Sequence, residues 1–481
     1  MNKFCKQKKG QSRCLVRNGK VLLPGMKRGS ISIMVLIFGM VFAVSIGGLV
    51  LVSLTQLTSS TRTEVFERAL TVAQSGAEYY RWHLAHDPLD FADGTGQEGE
   101  IYVHTISDPY GNTEGTFNLE ITPPASGSST VTIESEGWLT SNPDIKRTVK
   151  ARYGIPSLAR FSFLHNANVW FGSGITVNGK VMSNGGIRMD GVNNSTVQSS
   201  KATYTCGSET GCSPTQTKPG VWGGGGPTEL WEFPVPQMDF NSLIIDFSSM
   251  KAAAQSNGVY LGPSGNYGYH LIFNNNGTVT IRRITGALNR PGWSVENGCQ
   301  NLYQQISNEV NVGTFTLTEK PLFFIEDHVW VDGVVNGRAT VVAARFPIDV
   351  YNINIWINNN LTYIAKDGHS SLGLFAQNDI YYALNIPTSF EINAALLAQK
   401  GHIIRHHYGY SSCSNYANKV RNNLTIYGAV ISNKKSYWNY GTGPSSGFVT
   451  RTMTYDPNLY FDAPPYFPAQ GEYEFISWEE Q

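Results

Sequence analysis

The sequence predicts a mainly β protein carried on one long N-terminal helix: a small antiparallel sheet follows the helix, then a right-handed parallel β-helix, or solenoid, with a small α/β insertion. Three observations predict it. An uncharged, strongly apolar run fills Ile31 to Leu54. Charged residues are only 15% of the chain while Gly numbers 49 and aromatics reach 12%, the balance of an extracytoplasmic β-rich protein and not of a helical cytosolic enzyme. Beyond Ile155, very short apolar strands recur, broken by Gly and Asn-Gly corners. A β-sandwich is the alternative for that last region, since periodicity alone does not separate the two.

At about 1.5 Å per residue, the apolar run is long enough to cross a hydrocarbon core of roughly 30 Å as one helix. Lys27 and Arg28 stand directly before it, with Lys3, Lys6, Lys8, Lys9, Arg13, Arg17 and Lys20 further back, so the charge rule puts the N-terminus inside and the rest outside. A cleaved secretory signal fits poorly, because its apolar region is usually only about 7–15 residues. Past the membrane, Val65, Ala69, Val72, Ala73, Gly76 and Tyr80 recur at three- and four-residue spacing with charges in other directions, an amphipathic continuation of the same rod. Asp87-Pro88 ends it.

Next come alternating runs at Ile101–Ile106, Thr116–Thr122, Thr130–Gly137 and Ile145–Tyr153, punctuated by Asp108-Pro109-Tyr110-Gly111 and Pro123-Pro124. Such alternation predicts a small antiparallel sheet with one wet face, packed on the exposed part of the helix. The solenoid texture starts with Val169-Trp170-Phe171 and returns at Val329–Ala343, Ile353–Ile364, Leu372–Tyr382 and Leu424–Asn433. Between 196 and 320 a Gly run after Trp222, an extended Pro234-Val235-Pro236, a helical stretch from Phe240 and a hairpin signal at Asn276-Gly277 predict an α/β insertion protruding from the solenoid. The Pro- and aromatic-rich tail from Tyr455 is expected to cover the edge of the last coil. The resulting division is a basic leader at 1–29, the helix at 30–87, the small β domain at 88–154 and the solenoid at 155–481.

The basic leader ending in Gly29, the small Ser30, the unbroken apolar helix and the stretch Ala69-Leu70-Thr71-Val72-Ala73-Gln74-Ser75-Gly76-Ala77-Glu78-Tyr79 together resemble the N-terminus of type IV pilin-like proteins. The resemblance is to PilX-like minor pilins and to the large minor pseudopilins of type II secretion, and between these two systems it leaves the choice open. It implies cleavage after Gly29 by the membrane-embedded prepilin peptidase, methylation of the new N-terminus at Ser30, and packing of the freed helix into a filament. One position departs from the family: counted from Ser30, the fifth residue is Met34, where most major pilins carry Glu. A poor bulk subunit, suited to a tip or initiating position, is what that departure implies. The pilin helix, solenoid and Pro464-Pro465-Tyr466-Phe467-Pro468 ending also resemble large PilX-like proteins whose ectodomains have no assigned function. Met26 is an alternative start, which would shorten the leader to Met-Lys-Arg-Gly.

Of the six cysteines, Cys5 and Cys14 fall in the leader. Cys206 and Cys212 bracket a short loop and are candidates for a local disulfide, with Cys299 and Cys413 left for a longer one; the other pairings of these four stay open. Glu326-Asp327-His328 is the densest polar trio, but consecutive strand residues face opposite ways, so a turn with solvated charges is the simpler reading. His402, His406 and His407 around Arg405 read as surface or satisfied core histidines. Asp190, Asp332, Asp349, Asp367 and Asp379 are scattered among turns and form no evident carboxylate pair. Tyr437, Trp438 and Tyr440 could stack on sugars or belong to the core.

No nucleophile elbow, phosphate loop or zinc-protease motif occurs, and no cofactor or metal site is expected. Lys+Arg and Asp+Glu are both 36, so no nucleic-acid partner is expected either. The leading expectation is a non-enzymatic minor pilin-like subunit in the inner (cytoplasmic) membrane, single-pass, moving to the cell surface or pilus on assembly. Its expected partners are other pilin or pseudopilin subunits, the prepilin peptidase and the inner membrane, with surface polysaccharide a further candidate. The alternative is a membrane-anchored carbohydrate-binding or carbohydrate-active β-helix, and a static envelope component is a third reading.

Overall fold

The structure is a computed structural model that describes residues 31–125, 128–240, 243–441 and 444–481, with the backbone only at 243–246. Gly29, Ser30 and the whole leader lie outside the described residues. The chain divides into two units, one ending at Glu67 and one running from Arg68 to Gln481.

Helix α1 (Ile31–His86) is 56 residues long. From Ile31 to Leu54 its side chains are predominantly apolar and exposed on every face; Ile31, Phe38, Phe42 and Leu51 are 64–78% exposed. A helix of that kind needs lipid or other helices as its surroundings. The hydroxyls of Ser45, Thr55, Thr58 and Thr61 donate to the carbonyls of Val41, Leu51, Leu54 and Leu57, so these four are satisfied within the helix itself.

In the second unit, the last turns of α1 bury Ala69, Val72, Ala73, Gly76, Ala77, Tyr80 and Leu84. They sit on strands β1 (Ile101–Ser107), β2 (Thr113–Thr122), β3 (Thr130–Leu139) and β4 (Asn142–Gly154), an antiparallel sheet in chain order. Exposure alternates strictly along β3, as one dry and one wet face require. Helix and sheet approach closely because both are glycine-lined: a Cβ at Gly137 would lie 2.3 Å from Ala73 N, and one at Gly76 2.3 Å from Ser135 Oγ. The helix stops at Asp87-Pro88, where Asp87 N–H closes the last turn on the His83 carbonyl at 2.8 Å.

The rest is dominated by a 21-stranded sheet whose principal pairings are parallel. One ladder runs through Val259–Leu261, Leu322–Ile325, Arg338–Ala343, Ser371–Ala376, Ser389–Ala398 and Val420–Ser432. It then continues through Phe163–His165, Val181–Ser183, Val197–Ser199 and Trp231–Glu232. A second ladder follows the same order through Gly268–Asn274, Val329–Val335, Ile355–Tyr363 and, further on, Ser446–Thr454 and Ile175–Asn178. The protein is therefore mainly β, with one long N-terminal helix, an antiparallel sheet and a large parallel-strand sheet. Parallel pairing excludes the alternative sandwich, whose sheets are antiparallel.

The order of rungs is not the order of the chain. From Phe163 the chain builds outward to Trp231, then passes to the far end of the ladder at Val259 and returns rung by rung until Val430 pairs beside Phe163. Asn184 pins the passing segment, accepting from Met238 N–H at 2.9 Å and donating to the Met238 carbonyl at 2.7 Å. This corrects the expected protruding insertion at 196–320: Val197–Ser199, Trp231–Glu232, Val259–Leu261 and Gly268–Asn274 are rungs of the ladders themselves.

Ladder strands such as Leu322–Ile325 and Ser371–Ala376 are buried on both faces. Phe323, Val341 and Leu374 turn inward. Phe324, Val342 and Phe375 meet an outer layer of Phe247, Met250 and Ala254 from helix α2 (Leu243–Ser256), with Leu459 and Phe467 from the tail. The tail crosses the flank of the ladders instead of covering an end coil: Arg338 pairs with Asp462 at 2.7 Å, Thr340 donates to the Pro465 carbonyl, and Phe467 packs edge-on against Phe375. Its last strand, Glu474–Glu480, pairs antiparallel with β4, so the small sheet takes in the C-terminus of the chain.

Candidate functional site

A groove of about 710 Å³ opens where the first-built rungs meet the last ones, between the segments 163–190 and 435–451. Its size falls within the roughly 300–1,000 Å³ usual for ligand sites. Strand periodicity supplies the lining: in Val169–Phe171 the flanking side chains are buried and Trp170 faces out, 38% exposed. The indole N–H of Trp170 donates to Asp190 Oδ2 at 2.8 Å, and Arg188 Nε donates to the same oxygen at 2.8 Å. Gly224 N–H holds the other carboxylate oxygen at 2.9 Å. The Arg188 guanidinium lies 4.3 Å from the Trp170 ring centre and 4.9 Å from that of Trp222, so Trp170 is a fixed platform backed by a cation.

Across the groove stand Lys435, Tyr437, Trp438 and Arg451. Lys435 donates to the Glu209 carbonyl, and loss of solvation lowers its pKa to about 8. The Arg451 guanidinium has a buried Nε without a partner, and no carboxylate lies within ion-pair distance of it among the described residues. Burial lowers its pKa as well. His165, on the floor, is 2% exposed with no partner on either ring nitrogen, and burial pushes its pKa down to about 3, so it is a neutral imidazole. The groove thus carries three cations against one carboxylate.

Tyr437 connects the groove to a charged cluster that runs from Glu296 at the surface to buried His402 and Asp379. Its hydroxyl donates to Glu296, whose Oε2 is 3.3 Å from His402 Nε2; His402 Nδ1 is 2.5 Å from Asp379 Oδ1. Tyr381 OH also donates to Asp379, at 2.6 Å. Burial alone would depress the His402 pKa, but the two carboxylates outweigh it and raise the value to about 9. For Glu296 burial opposes ionisation, yet its bonds from His402 and Tyr437 bring it to about 2. A second buried histidine repeats the pattern: His270 lies 2.9 Å from Glu309 and 3.1 Å from Asp332, and its pKa is raised by them against the effect of burial.

The remaining candidates are used in packing. Glu326 accepts from Lys251 at 2.6 Å and Tyr260 at 2.9 Å, tying α2 to the ladder; Asp327 accepts from Ser264 N–H and Oγ, and His328 Nδ1 from Asn354 N–H. Of this half-buried trio, Glu326 is ion-paired with Lys251, and Asp327 and His328 are hydrogen-bonded. Of the histidines, His402 and His406 are buried, and His407 bonds Ser445 Oγ at 3.0 Å. Asp349 and Asp367 are exposed, while Asp190 alone of the five aspartates lines the groove. Trp438 lines the groove but spends its indole N–H on the Ile403 carbonyl, and Tyr440 donates to the Arg405 carbonyl. Cys206 is joined to Cys212 and Cys299 to Cys413.

Trp170, Arg188, Lys435, Arg451 and His165 escaped the sequence reading. A signal existed for Trp170, a large aromatic at the outward position between two inward ones. None existed for Arg451 or Lys435, which reach the groove only because the last rungs pack on the first.

No protein-family model matches this chain, and no curated protein matches it. Among solved structures it is similar to the competence-associated pilin ComZ from Thermus thermophilus, at 15% identity over 87% of this chain and 97% of that one, with a TM-score of 0.27. A superposition that loose supports no statement about fold or role, and the assignment below rests on the chain itself.

Proposed function

We propose that this protein is a non-enzymatic minor type IV pilin-like subunit, cut after Gly29 by the prepilin peptidase, methylated at Ser30, and assembled with other pilin or pseudopilin subunits. The observation that carries the reading is the division of labour along α1: Ile31 to Leu57 expose apolar side chains on every face, and from Ala69 onward the helix turns a small-residue stripe into an antiparallel sheet. One helix is thereby fitted to lipid or a helical filament core at one end and to a folded head at the other. The large parallel-strand body, read as a β-solenoid, is then the part displayed outside the membrane for assembly, adhesion or surface contact.

The test is the mass of the mature N-terminus purified from cells with an active prepilin peptidase. The expected species begins at N-methylated Ser30, and a Gly29→Val variant keeps its leader. Recovery of the intact leader on the unaltered chain overturns the pilin reading and leaves a membrane-anchored body. That second reading draws on the groove.

A further inference from the structure

The groove sets an aromatic platform and an unpaired guanidinium within one cavity. Trp170 is held in place by Asp190 and Arg188, although at 38% exposure it contributes little to the core. Flat exposed aromatics held rigid are suited to stacking on the apolar face of a sugar ring. Arg451 is the opposite case: it brings a guanidinium into partly buried surroundings without a carboxylate, and a Cβ at Gly174 would lie 2.8 Å from its Nη2. A buried cation lacking a partner is costly, and a planar carboxylate is its natural complement.

We infer that the groove binds a short saccharide bearing a single carboxylate, such as a sialylated or uronosyl-terminated oligosaccharide, with a sugar face on Trp170 and the carboxylate on Arg451. Asp190 in the wall disfavours a ligand with a charge on every backbone unit packed against it, so a hydroxyl-rich monocarboxylate sugar fits better than a single-stranded nucleic acid. The proposal is independent of processing at Gly29, because every residue it uses lies between 163 and 451.

The experiment is calorimetric titration of the full chain in detergent micelles with sialyllactose and glucuronosyl-xylobiose, beside the methyl ester of each and a thymidine hexanucleotide. At least one acidic saccharide is expected to bind, at least tenfold more tightly than the neutral ester or the oligonucleotide. Arg451→Gln should weaken that binding tenfold or more and remove the preference for acid over ester. Trp170→Ala should weaken acid and ester alike, with Trp170→Phe recovering part of the loss. Tyr110→Ala, on the exposed β1–β2 turn, serves as control and should change nothing. The proposal is overturned if none of the acidic saccharides binds at millimolar concentration, if acid and ester bind equally, if the oligonucleotide binds more tightly, or if both groove variants, with near-ultraviolet circular dichroism unchanged, bind as the parent does. The acid-to-ester comparison needs no variant and so holds even where Arg451→Gln fails to fold.

Discussion

The small antiparallel sheet and the parallel ladders bury apolar surface by different means. In the small sheet β1 to β4 each pair with the neighbour in sequence, only the C-terminal strand Glu474–Glu480 joining from afar, and β3 alternates between buried and half-buried residues along its whole length. In the ladders Leu322–Ile325 and Ser371–Ala376 have no wet face, and partners such as Val430 and Phe163 lie far apart in the chain. The first region is a local solution, held by neighbours and by a helix fitted to two glycines. The second is a long-range solution, which holds only when every rung has found its place.

The largest expected effect breaks the long-range side. Replacing Cys299 and Cys413 together by Ser opens a closure of 114 residues, which the chain-entropy model values at about 4–5 kcal/mol; Cys206 and Cys212, 6 apart, close a loop worth about 2 kcal/mol. Urea unfolding should show the first pair dominating, and hydrogen exchange should show lost protection in the ladders with 101–154 spared. Phe375→Ala removes a fully buried ring between the ladder, Phe247 and Phe467, and should cost about 3–4 kcal/mol, again in the ladders.

Gly137→Val tests the local side. The new side chain would meet the Ala73 backbone, so about 1–3 kcal/mol should be lost from the helix and small sheet, read as faster exchange at 69–84 and 115–139 with the ladders unchanged. The smallest effect is pH-dependent and belongs to the ladders. His402 has a folded pKa raised from 6.5 to about 9, so its stabilisation is complete below 6.5 and is lost as pH rises through 9. Glu296 is lowered from 4.5 to about 2, so its share is present above 4.5 and lost as pH falls through 2. Melting temperatures of the full chain should fall between pH 6.5 and 9, and His402→Asn should flatten that slope. An unchanged slope would place the pH response elsewhere, with His270 the next group to replace.

What could be read in advance divides along the same line. The apolar rod, its small-residue stripe, its stop at Asp87-Pro88, the strands of the small sheet and the Asn276-Gly277 hairpin follow from short-range rules, periods of two or 3.6 residues and turn chemistry, which the local sequence carries. The parallel rungs were visible as strands but not as an order, since one short run of Val, Ile, Leu and Ala stacks on another almost regardless of rank. Tertiary pairing sets it: the segment at 163–232 forms one end of the ladder, and the chain after it begins at the opposite end and returns until Val430 lies beside Phe163. The groove was invisible for the same reason. Trp170 and Asp190 come from the outward-built rungs, Lys435 and Arg451 from the returning ones, and only tertiary packing, acting over more than any local window, sets their charges and rings around one cavity.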